Sequence, residues 1–547
     1  MDSKIETMYQ RWLNETDDKN ELTGLDEKEI YDRFYRDLEF GTGGLRGILG
    51  AGTNRMNIYT VRKATQGLAN ELKDCGEDVS SKGVVIAHDS RIMSREFAIE
   101  CTKVLAANGI KAYLFDSLRP TPMLSFAVRH LGTARGIVIT ASHNPKEYNG
   151  YKVYGEDGGQ IPPNTADGIL KYFDKLDIFN DGLVAEPDYI EIGKAVDDAY
   201  IKAVREQSMN IDIPDDFKVV YTPIHGSGNI PVRRILSEIG VGNVIIVDEQ
   251  ELPDGNFPTV NSPNPENKEA LDMAISLAQK NGADLVFGTD PDCDRIGVAV
   301  KTDSGEYICL NGNQTGSLLC EFILRKEKEN NTLPSNGAVI KTIVTTELVR
   351  KIAESYGVEV IDVLTGFKYI GEKIKEFENT NSHTYLFGLE ESYGYLKGTY
   401  ARDKDAVVAA MLICEMAADY AGRGMTLYDG LQELYKKYGY CEERLATKTL
   451  YGEEGSIRIK EIMSELRANP PKSIGGSEVE KVLDYNEGID GLPKSNVLKF
   501  MMKDGWFAAR PSGTEPKIKF YYAFSGENCT DVSVKLESAE KMISEIN

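Results

Sequence analysis

The chain has 547 residues, of which 41% are hydrophobic and 27% charged, and its formal net charge is −23. This length favours three or four domains, and the composition is ordinary for a globular protein in water. Because an acidic surface repels nucleic acid and anionic lipid, neither is expected as a partner, and an anionic substrate would need a locally basic pocket.

The eight cysteines form no CxxC pair, so their spacing predicts neither a zinc site nor a disulfide framework. Reduced thiols are typical of the cytoplasm. The first residues lack the basic and apolar regions of a secretory signal. The longest apolar stretch, 407–418, contains Glu415 and is too short to span a bilayer. We therefore expect a cytoplasmic protein.

The first 40 residues are charged and place apolar side chains at helical spacing, which predicts a leading extension of two amphipathic helices. A glycine-rich loop around Arg46 is predicted at 41–47. Helices are then predicted at 62–75 and 94–108, and strands at 83–89, 111–115 and 136–139. This alternation predicts an α/β domain with a mainly parallel sheet.

Two further stretches repeat the same plan. The second has predicted strands at 217–221, 244–247 and 283–287 and helices at 230–239 and 267–280; the third has helices at 310–329 and 405–420 and strands at 338–343 and 359–363. The remainder is more mixed and includes an alternating strand at 518–523. We expect three similar mixed α/β domains and a smaller C-terminal α+β domain, with boundaries at 1–207, 208–309, 310–428 and 429–547.

The stretch Thr140-Ala-Ser-His-Asn-Pro145 leaves the buried strand at 136–139, and a hydroxyl at such a strand end can meet a ligand. The residues alone leave Ser142 as either a loop residue or a nucleophile. His143 does not make a serine hydrolase, because residues adjacent in sequence rarely pair as nucleophile and base. A G-x-S-x-G elbow is also missing from the sequence.

Three carboxylates alternate directly after the predicted strand that ends at 287: Asp290, Asp292 and Asp294. Three like charges so close together repel and raise one another's pKa, and a hard divalent cation resolves that conflict. All-oxygen ligands favour Mg²⁺. The alternative is a solvated acidic turn. The buried strand before this stretch and Arg295 after it favour the cation site over that alternative.

The stretch Arg510-Pro-Ser-Gly-Thr-Glu-Pro-Lys517 combines the groups that bind phosphate. Arg510 offers a planar fork, Ser512 and Thr514 offer hydroxyl groups, and Gly513 lets backbone N–H groups close around an anion. A basic surface turn would explain the proline and glycine but not the clustered donors. The stretch therefore predicts a phosphate-binding loop.

A predicted turn at 388–394 follows a short strand at 384–387. Glu390 and Ser392 lie in this turn, and their oxygens suit the hydroxyl groups of a sugar. An exposed turn without a ligand fits the residues equally well. Lys368, in Gly366-Phe-Lys368, is a weaker candidate for a basic contact.

Together and in this order, these stretches resemble the motifs of the α-D-phosphohexomutase family. The family carries a serine loop T-A-S-H-N-P, a metal loop D-x-D-x-D-R, a sugar loop G-E-x-S-G, a phosphate loop R-x-S-G-T-E-P and a leading G-T-x-G-x-R-G, here at 41–47. The extension, the metal loop and the stretch 397–407 are most similar to the bacterial phosphoglucomutase and animal phosphopentomutase branch. Tyr393 departs from the usual glycine and bears on the sugar preference.

The resemblance implies a four-domain enzyme around a central cleft. It implies that Ser142 is phosphorylated and ligates Mg²⁺ together with Asp290, Asp292 and Asp294. It also implies three sets of roles. Around the transferred phosphoryl group it places Arg46, His143, Lys152 and Arg295; at the sugar it places Glu390 and Ser392; at the non-reacting phosphate it places Arg510, Ser512, Gly513 and Thr514.

The implied activity is that of a phosphoglucomutase, which interconverts α-D-glucose 1-phosphate and glucose 6-phosphate through a phosphoserine and glucose 1,6-bisphosphate, the latter also being the activator. Phosphopentomutase and phosphomannomutase activities stay open, as do a Mg²⁺-dependent sugar phosphatase and an inactive sugar-phosphate sensor. The expected partners are small sugar phosphates, and we expect a monomer or weak dimer.

Overall fold

The computed structural model describes residues 2–16, 19–41, 43–173, 175–179, 184–302, 304–450, 452–512 and 517–546. The chain divides into two compact units. Unit 1 comprises Met1–Leu310, Ile370–Asn381 and Tyr393–Asp419, and unit 2 comprises Asn311–Tyr369, Ser382–Ser392 and Tyr420–Asn547. Among the described residues, no helix has both the length and the apolar character needed to cross a membrane.

The N-terminal extension of unit 1 forms a small aromatic core of its own. Its helices are α1 (Ser3–Glu15), α2 (Lys19–Leu22) and α3 (Glu27–Phe34), so a short helix separates the two that the sequence predicts. Trp12 is fully buried and meets the rings of Phe34, Tyr59 and Phe179 edge to face. Such aromatic pairs add to the stability that burial already gives.

The first sheet of unit 1 has six strands in the order β1-β5-β4-β2-β3-β6. The elements are β1 (Gly44–Ile48), β2 (Val84–His88), β3 (Ala112–Phe115), β4 (Arg135–Ile139), β5 (Tyr148–Gly155), β6 (Ile190–Ile192), α4 (Ile58–Asp74), α5 (Glu77–Ser80), α6 (Ser94–Ala107), α7 (Thr121–Leu131), α8 (Pro163–Phe173) and α9 (Lys194–Arg205). Every residue of β2 and β4 is buried, as expected for the centre of a parallel sheet covered by helices.

Two features of this sheet differ from the prediction. Residues 44–48 form the edge strand β1 rather than part of a glycine-rich loop, and β5 pairs antiparallel with both β1 and β4. Glycine permits this close packing, because a Cβ at Gly150 would lie 2.5 Å from the carbonyl oxygen of Thr140. The other three pairs are parallel, so the sheet is mixed.

The second sheet of unit 1 has the order β11-β10-β9-β7-β8. The elements are β7 (Lys218–Thr222), β8 (Asn243–Ile246), β9 (Leu285–Thr289), β10 (Ile296–Lys301), β11 (Tyr307–Leu310), α10 (Asn229–Glu238), α11 (Asp248–Glu251) and α12 (Asp272–Asn281), with a 3₁₀ turn at Lys268–Leu271. The antiparallel strands β10 and β11 are absent from the prediction. They form a hairpin after β9, and the acidic stretch 290–295 joins β9 to β10.

Unit 2 contains β12 (Gly337–Thr342), β13 (Glu359–Val363) and β14 (Thr384–Glu390), paired in parallel in the order β13-β12-β14. The helices α13 (Gly312–Glu329), α14 (Leu348–Ser355) and α17 (Leu427–Tyr438) also belong to unit 2. The intervening elements α15 (Phe367–Thr380), β15 (Gly394–Leu396) and α16 (Ala406–Gly422) belong wholly or mostly to unit 1. The strand β14 is longer than predicted and includes Glu390, so the turn begins only at Glu391.

The rest of unit 2 is a six-stranded sheet in the order β16-β21-β20-β19-β18-β17, in which neighbouring strands are antiparallel. Its elements are β16 (Tyr440–Thr449), α18 (Gly452–Ala468), β17 (Ser473–Ile474), β18 (Ser477–Asp484), β19 (Leu498–Met502), β20 (Gly505–Pro511), β21 (Lys517–Gly526) and α19 (Cys529–Glu545), with a 3₁₀ turn at Tyr485–Glu487. The predicted mixture of α/β and α+β parts is therefore present.

Candidate active site

Ser142 lies just beyond the carboxyl end of β4, in a backbone conformation that is rare for serine. Its φ is 52°, in the left-handed region, where a non-glycine residue costs about 1–3 kcal/mol unless its surroundings hold it there. The hydroxyl of Thr140 accepts the N–H of Ser142 at 2.8 Å and donates to Asp89 Oδ2 at 2.7 Å. Thr140, at the end of β4, therefore helps to hold Ser142 in this conformation.

The Ser142 hydroxyl is buried and faces the acidic stretch. Its Oγ donates to Asp290 Oδ2 at 2.9 Å and lies 3.2 Å from His143 Nδ1. Desolvation and the positive charges of Arg295 and Arg46 lower the pKa of His143 well below its usual value. The imidazole is therefore neutral at neutral pH and serves as a hydrogen-bonding neighbour of the hydroxyl.

The three carboxylates form one buried cluster between β9 and β10. Asp290 and Asp292 have no exposed surface and Asp294 is 2% exposed. One oxygen from each lies within 4.8 Å of the others. Asp290 Oδ1 also accepts the backbone N–H groups of Asp294 and Arg295, each at 3.0 Å, which fixes the turn. The solvated-turn alternative does not fit side chains that are buried so completely.

The cluster carries more negative charge than its surroundings neutralise. Burial and the other two carboxylates raise the pKa of Asp290 well above its usual value. Burial also opposes ionisation of Asp292, but Lys152, whose Nζ is 3.0 Å away, lowers the pKa of this carboxyl. Among the described polar atoms, Asp292 Oδ1 and Asp294 Oδ1 are buried without a hydrogen-bond partner. Converging, unsatisfied carboxylate oxygens fit a hard divalent cation.

Basic side chains surround the cluster. Lys152 reaches Asp292 from β5, because antiparallel pairing sets this residue opposite Val138 near the end of β4. Lys404 Nζ lies 3.1 Å from Asp294 Oδ2. Arg295 pairs with Glu266. Arg46, on β1, donates to Asn144 Oδ1 at 3.1 Å, which places it on the serine loop.

The remaining predicted residues belong to unit 2. Glu390 is buried at the end of β14, and its Oε1 accepts the backbone N–H of Gly366 at 2.8 Å. Lys368, two residues after Gly366, is the second residue of α15, and its Nζ lies 4.9 Å from the centre of the Tyr369 ring. Ser392 is half-buried in the turn that follows β14. The structure thus brings Glu390 close to the segment that carries Lys368.

Arg510 lies near the end of β20, close enough to Tyr521 on the neighbouring strand β21 to act against the rise in the pKa of that hydroxyl. The N–H of Ser512 donates to the carbonyl of Lys517 at 2.8 Å. Gly513 and Thr514 lie outside the described residues. Burial and the nearby Glu391 carboxylate raise the pKa of Tyr521, so its hydroxyl keeps its proton.

Comparison with known proteins agrees with this arrangement. The chain matches the models for Phosphoglucomutase/phosphomannomutase alpha/beta/alpha domain I at 37–178, domain II at 198–305, domain III at 311–438 and the C-terminal domain at 465–526. It is 38% identical to a phosphoglucomutase of Staphylococcus haemolyticus (96% of this chain, 98% of that one) and 39% identical to one of Staphylococcus aureus strain MSSA476 (92% and 93%).

Solved structures share the fold. A Burkholderia thailandensis protein of the phosphoglucomutase/phosphomannomutase family has a TM-score of 0.70 at 20% identity, covering 93% of this chain and 97% of that one. The open form of a Paramecium phosphoglucomutase, parafusin, has a TM-score of 0.68 at 16% identity, covering 94% and 95%.

Fold and relatives together define an intramolecular phosphotransferase, an enzyme of the isomerase class. The chain belongs to the phosphoglucomutase/phosphomannomutase family, that of the α-D-phosphohexomutases. The predicted family, fold class and enzyme class are confirmed. The domain boundaries at 207, 309 and 428 and the roles of the individual site residues stay predictions.

Four residues at the serine and the cluster are absent from the predicted site. Arg91 donates to the carbonyl oxygen of Ser142, Asp89 accepts from Thr140, and Thr121 donates to Asp292 Oδ2 at 2.8 Å. The fourth is Lys404. Lys404 has a weak signal, since it lies between two aspartates, Asp403 and Asp405, in a stretch that resembles one branch of the family. Asp89 and Arg91 lie between β2 and α6, and Thr121 is the first residue of α7; none of the three belongs to a distinguishing sequence pattern.

Proposed function

We propose that this enzyme interconverts α-D-glucose 1-phosphate and glucose 6-phosphate. Ser142 carries the phosphoryl group, and glucose 1,6-bisphosphate is the intermediate and the activator. The observation that carries the proposal is the buried Ser142 hydroxyl, 2.9 Å from a carboxylate cluster that has two unsatisfied oxygens. The relatives at 38–39% identity that are named phosphoglucomutase support glucose as the sugar.

The proposed reaction is two phosphoryl transfers in opposite directions. In the first, the bond between phosphorus and Ser142 Oγ breaks, a bond from phosphorus to the free sugar hydroxyl oxygen forms, and the hydroxyl proton takes the place of the phosphoryl group on Ser142 Oγ. In the second, the bond between the other phosphorus and its sugar oxygen breaks, that phosphoryl group bonds to Ser142 Oγ, and the serine proton passes to the sugar oxygen. Because Ser142 is only 3% exposed, water has little access to the phosphoserine, which limits hydrolysis.

The basic side chains of unit 1 offset charge on the transferring oxygens. Lys152 and Arg295 lie at the carboxylate cluster, and Arg46 lies on the serine loop. Preorganised cations of this kind stabilise phosphoryl transfer without reorganising during the reaction. His143 is neutral and lies 3.2 Å from Ser142 Oγ, so it orients that oxygen.

Asp290, Asp292 and Asp294, with an oxygen of phosphoserine 142, would hold a divalent cation, and their all-oxygen chemistry favours Mg²⁺. When bound, Mg²⁺ supplies a Lewis acid that offsets negative charge on the phosphoryl group. In unit 2, we assign the sugar hydroxyls to Glu390 and Ser392, with Lys368 as an added basic contact. We assign the non-reacting phosphate to Arg510, Ser512, Gly513 and Thr514.

The substrate is tested by coupled assays of the full-length enzyme on glucose, mannose and ribose 1-phosphates in Mg²⁺ with the matching sugar bisphosphate. We expect the highest kcat/KM with glucose 1-phosphate. Higher activity on ribose or mannose 1-phosphate would replace glucose in the proposal. Steady release of inorganic phosphate without a bisphosphate requirement would identify a phosphatase, and ligand binding without turnover would identify a sensor.

The phosphate carrier is tested by intact mass. After incubation with the bisphosphate, we expect a gain of about 80 Da, which marks one phosphoryl group. The Ser142→Ala variant should lack this gain and lose at least ~10⁴-fold in kcat, because the covalent route is removed. Ser125→Ala is the matched control, since Ser125 is also buried in unit 1 but donates to the Gly158 carbonyl. A Ser142→Ala variant that still gained the mass would disprove the assignment.

All eight cysteines are free thiols, which agrees with a reducing compartment, and we propose a cytoplasmic location on that basis. We also propose that the enzyme acts as a monomer or weak dimer that binds no nucleic acid or membrane, because its net charge of −23 repels both polyanions and other copies of itself.

A further inference from the structure

Arg91 is a buried arginine that binds the backbone of the serine loop. It lies between β2 and α6, 51 positions before Ser142, and its side chain has no exposed surface. Its guanidinium group donates to four backbone carbonyl oxygens, those of Ser142 (2.5 Å), Asn144, Pro145 (2.9 Å) and Tyr148 (3.1 Å).

The guanidinium group is itself held on two sides. Arg91 Nε lies 3.4 Å from Asp89 Oδ2, and Asp89 Oδ1 accepts the backbone N–H of Arg91 at 2.9 Å. The centre of the Phe257 ring is 5.1 Å from the guanidinium carbon. An aromatic face and a carboxylate together restrict both the position and the plane of an arginine.

A second donor completes the binding of the loop. The Ser262 hydroxyl donates to the carbonyl of His143 at 2.7 Å. The carbonyls of four consecutive residues, 142–145, are therefore bound by Arg91 or Ser262. Backbone carbonyls that are all bound cannot rotate freely, so this segment has little freedom to leave the left-handed conformation at Ser142.

We propose that Arg91 is a positioning residue for phosphoryl transfer: by binding the serine-loop carbonyls, it holds Ser142 Oγ at the carboxylate cluster in the conformation that reacts. This inference rests on the proposed function, because it assumes that Ser142 is the phosphate carrier. Lysine cannot replace the planar fork, because it is a single point charge that cannot reach four divergent carbonyls from one position.

The test compares Arg91→Lys with Arg135→Lys in the full-length enzyme. Arg135 is the matched control because it begins β4, the strand that ends at the serine loop. It is also buried, pairs with Glu71 at 2.6 Å and donates to the Ala134 carbonyl at 2.8 Å. Both variants keep the positive charge and lose the planar guanidinium group, but only Arg91 contacts the serine loop.

We expect Arg91→Lys to lower kcat roughly 10²-fold, since a displacement of about 1 Å has that effect on catalysis. KM should change less than about threefold, because the substrate contacts are intact. Phosphorylation of Ser142 by the bisphosphate, followed by intact mass, should slow by a similar factor. Arg135→Lys should keep wild-type kcat per folded molecule, whatever its melting temperature.

Equal losses of kcat in the two variants, or a loss confined to KM, would overturn the proposal. If Arg91→Lys does not fold, Ser262→Ala provides the same test with one hydrogen bond removed, and a kcat loss of roughly three- to tenfold is expected. An unchanged kcat in Ser262→Ala would then count against the proposal. Wild-type turnover and wild-type phosphorylation test the function separately, so failure of the function is seen before any variant is compared.

Discussion

Unit 1 contains a buried cluster of three carboxylates, whereas unit 2 contains two buried lysines, Lys341 and Lys499. In unit 1 the cluster of Asp290, Asp292 and Asp294 keeps two buried oxygens without partners. In unit 2, Lys341 Nζ lies 3.0 Å from both Glu347 and Asp362 and donates to the carbonyl of Thr345.

One carboxyl group of each cluster shows the contrast, because Asp290 and Glu347 have opposite pKa shifts. Burial and like charges raise the pKa of Asp290 well above its usual value. Although burial opposes ionisation of Glu347, Lys341 and Lys499 lower its pKa to about 2. Ionised Glu347 therefore stabilises the fold, while ionised Asp290 destabilises it until a cation arrives. This difference separates a binding site from a structural ion-pair network, although both are buried and charged.

The largest expected effect comes from Asp290→Asn. Because one charge leaves a repulsive cluster, we expect unchanged or higher stability without Mg²⁺. Mg²⁺ should no longer raise the melting temperature as it does in the wild type, because the variant has lost a ligand. Activity should fall at least ~10³-fold, because the variant no longer holds the Mg²⁺ that acts as a Lewis acid. Thermal unfolding with and without Mg²⁺, together with the mutase assay, measures all three.

Glu347→Gln is the matched variant in unit 2. It should lower the melting temperature equally with and without Mg²⁺, because its partners are protein groups. An Mg²⁺ response that is lost in Glu347→Gln, or kept in Asp290→Asn, would contradict the distinction between the two clusters.

The second effect concerns pH and Lys499 in unit 2. Burial and the neighbouring Lys341 lower the pKa of Lys499 to about 8. Between pH 8 and the ordinary value near 10.4, the unfolded chain binds more protons than the folded one, so this lysine makes stability rise with pH. We expect the wild type to gain roughly 1–3 kcal/mol over Lys499→Met between pH 7.5 and 9.5.

The two tryptophans allow the pH dependence of stability to be measured in unit 2 alone. Trp506 lies 4.6 Å from Lys499 Nζ in unit 2, and Trp12 lies in unit 1. In a Trp12→Phe background, urea unfolding followed by tryptophan fluorescence reports on unit 2. Exposed Lys494 provides the control, and Lys494→Met should leave the pH dependence unchanged. The same pH dependence in Lys499→Met and its parent would disprove the assignment.

The site residues that could be predicted from the sequence are those whose role depends on residues next to them in the chain. Alternating aspartates after a buried strand indicate a cation site, because the strand and the charges are adjacent in the chain. Ser142 is found in the same way, at the end of β4. The α/β alternation likewise predicts helices and central strands, since each is set by its own periodicity.

The residues that were missed act across the fold. Arg91 and Lys404 reach the site only through packing; nothing near Arg91 in the sequence distinguishes it from a surface charge, and Lys404 has only the weak signal of its two neighbouring aspartates. The sequence predicts a loop at the edge strand β1, because its glycines suit a loop and a strand alike, and only the pairing with β5 decides between them. The sequence predicts Tyr521 only as one residue of an alternating strand and assigns it no role at the site.

Tyr521 gives the smallest expected effect and tests which polar groups of unit 2 serve a ligand. Its hydroxyl is a close polar neighbour of Arg510 in the predicted phosphate loop. In Tyr521→Phe the guanidinium loses one neutral partner, worth about 1 kcal/mol, so KM for the sugar phosphate should rise roughly three- to tenfold with little change in kcat. Tyr522→Phe is the control, because neighbouring residues of a strand face opposite sides and the Tyr522 hydroxyl donates to Glu540 at 3.0 Å. Equal KM values in the two variants would show that Tyr521 does not contribute to binding the sugar phosphate.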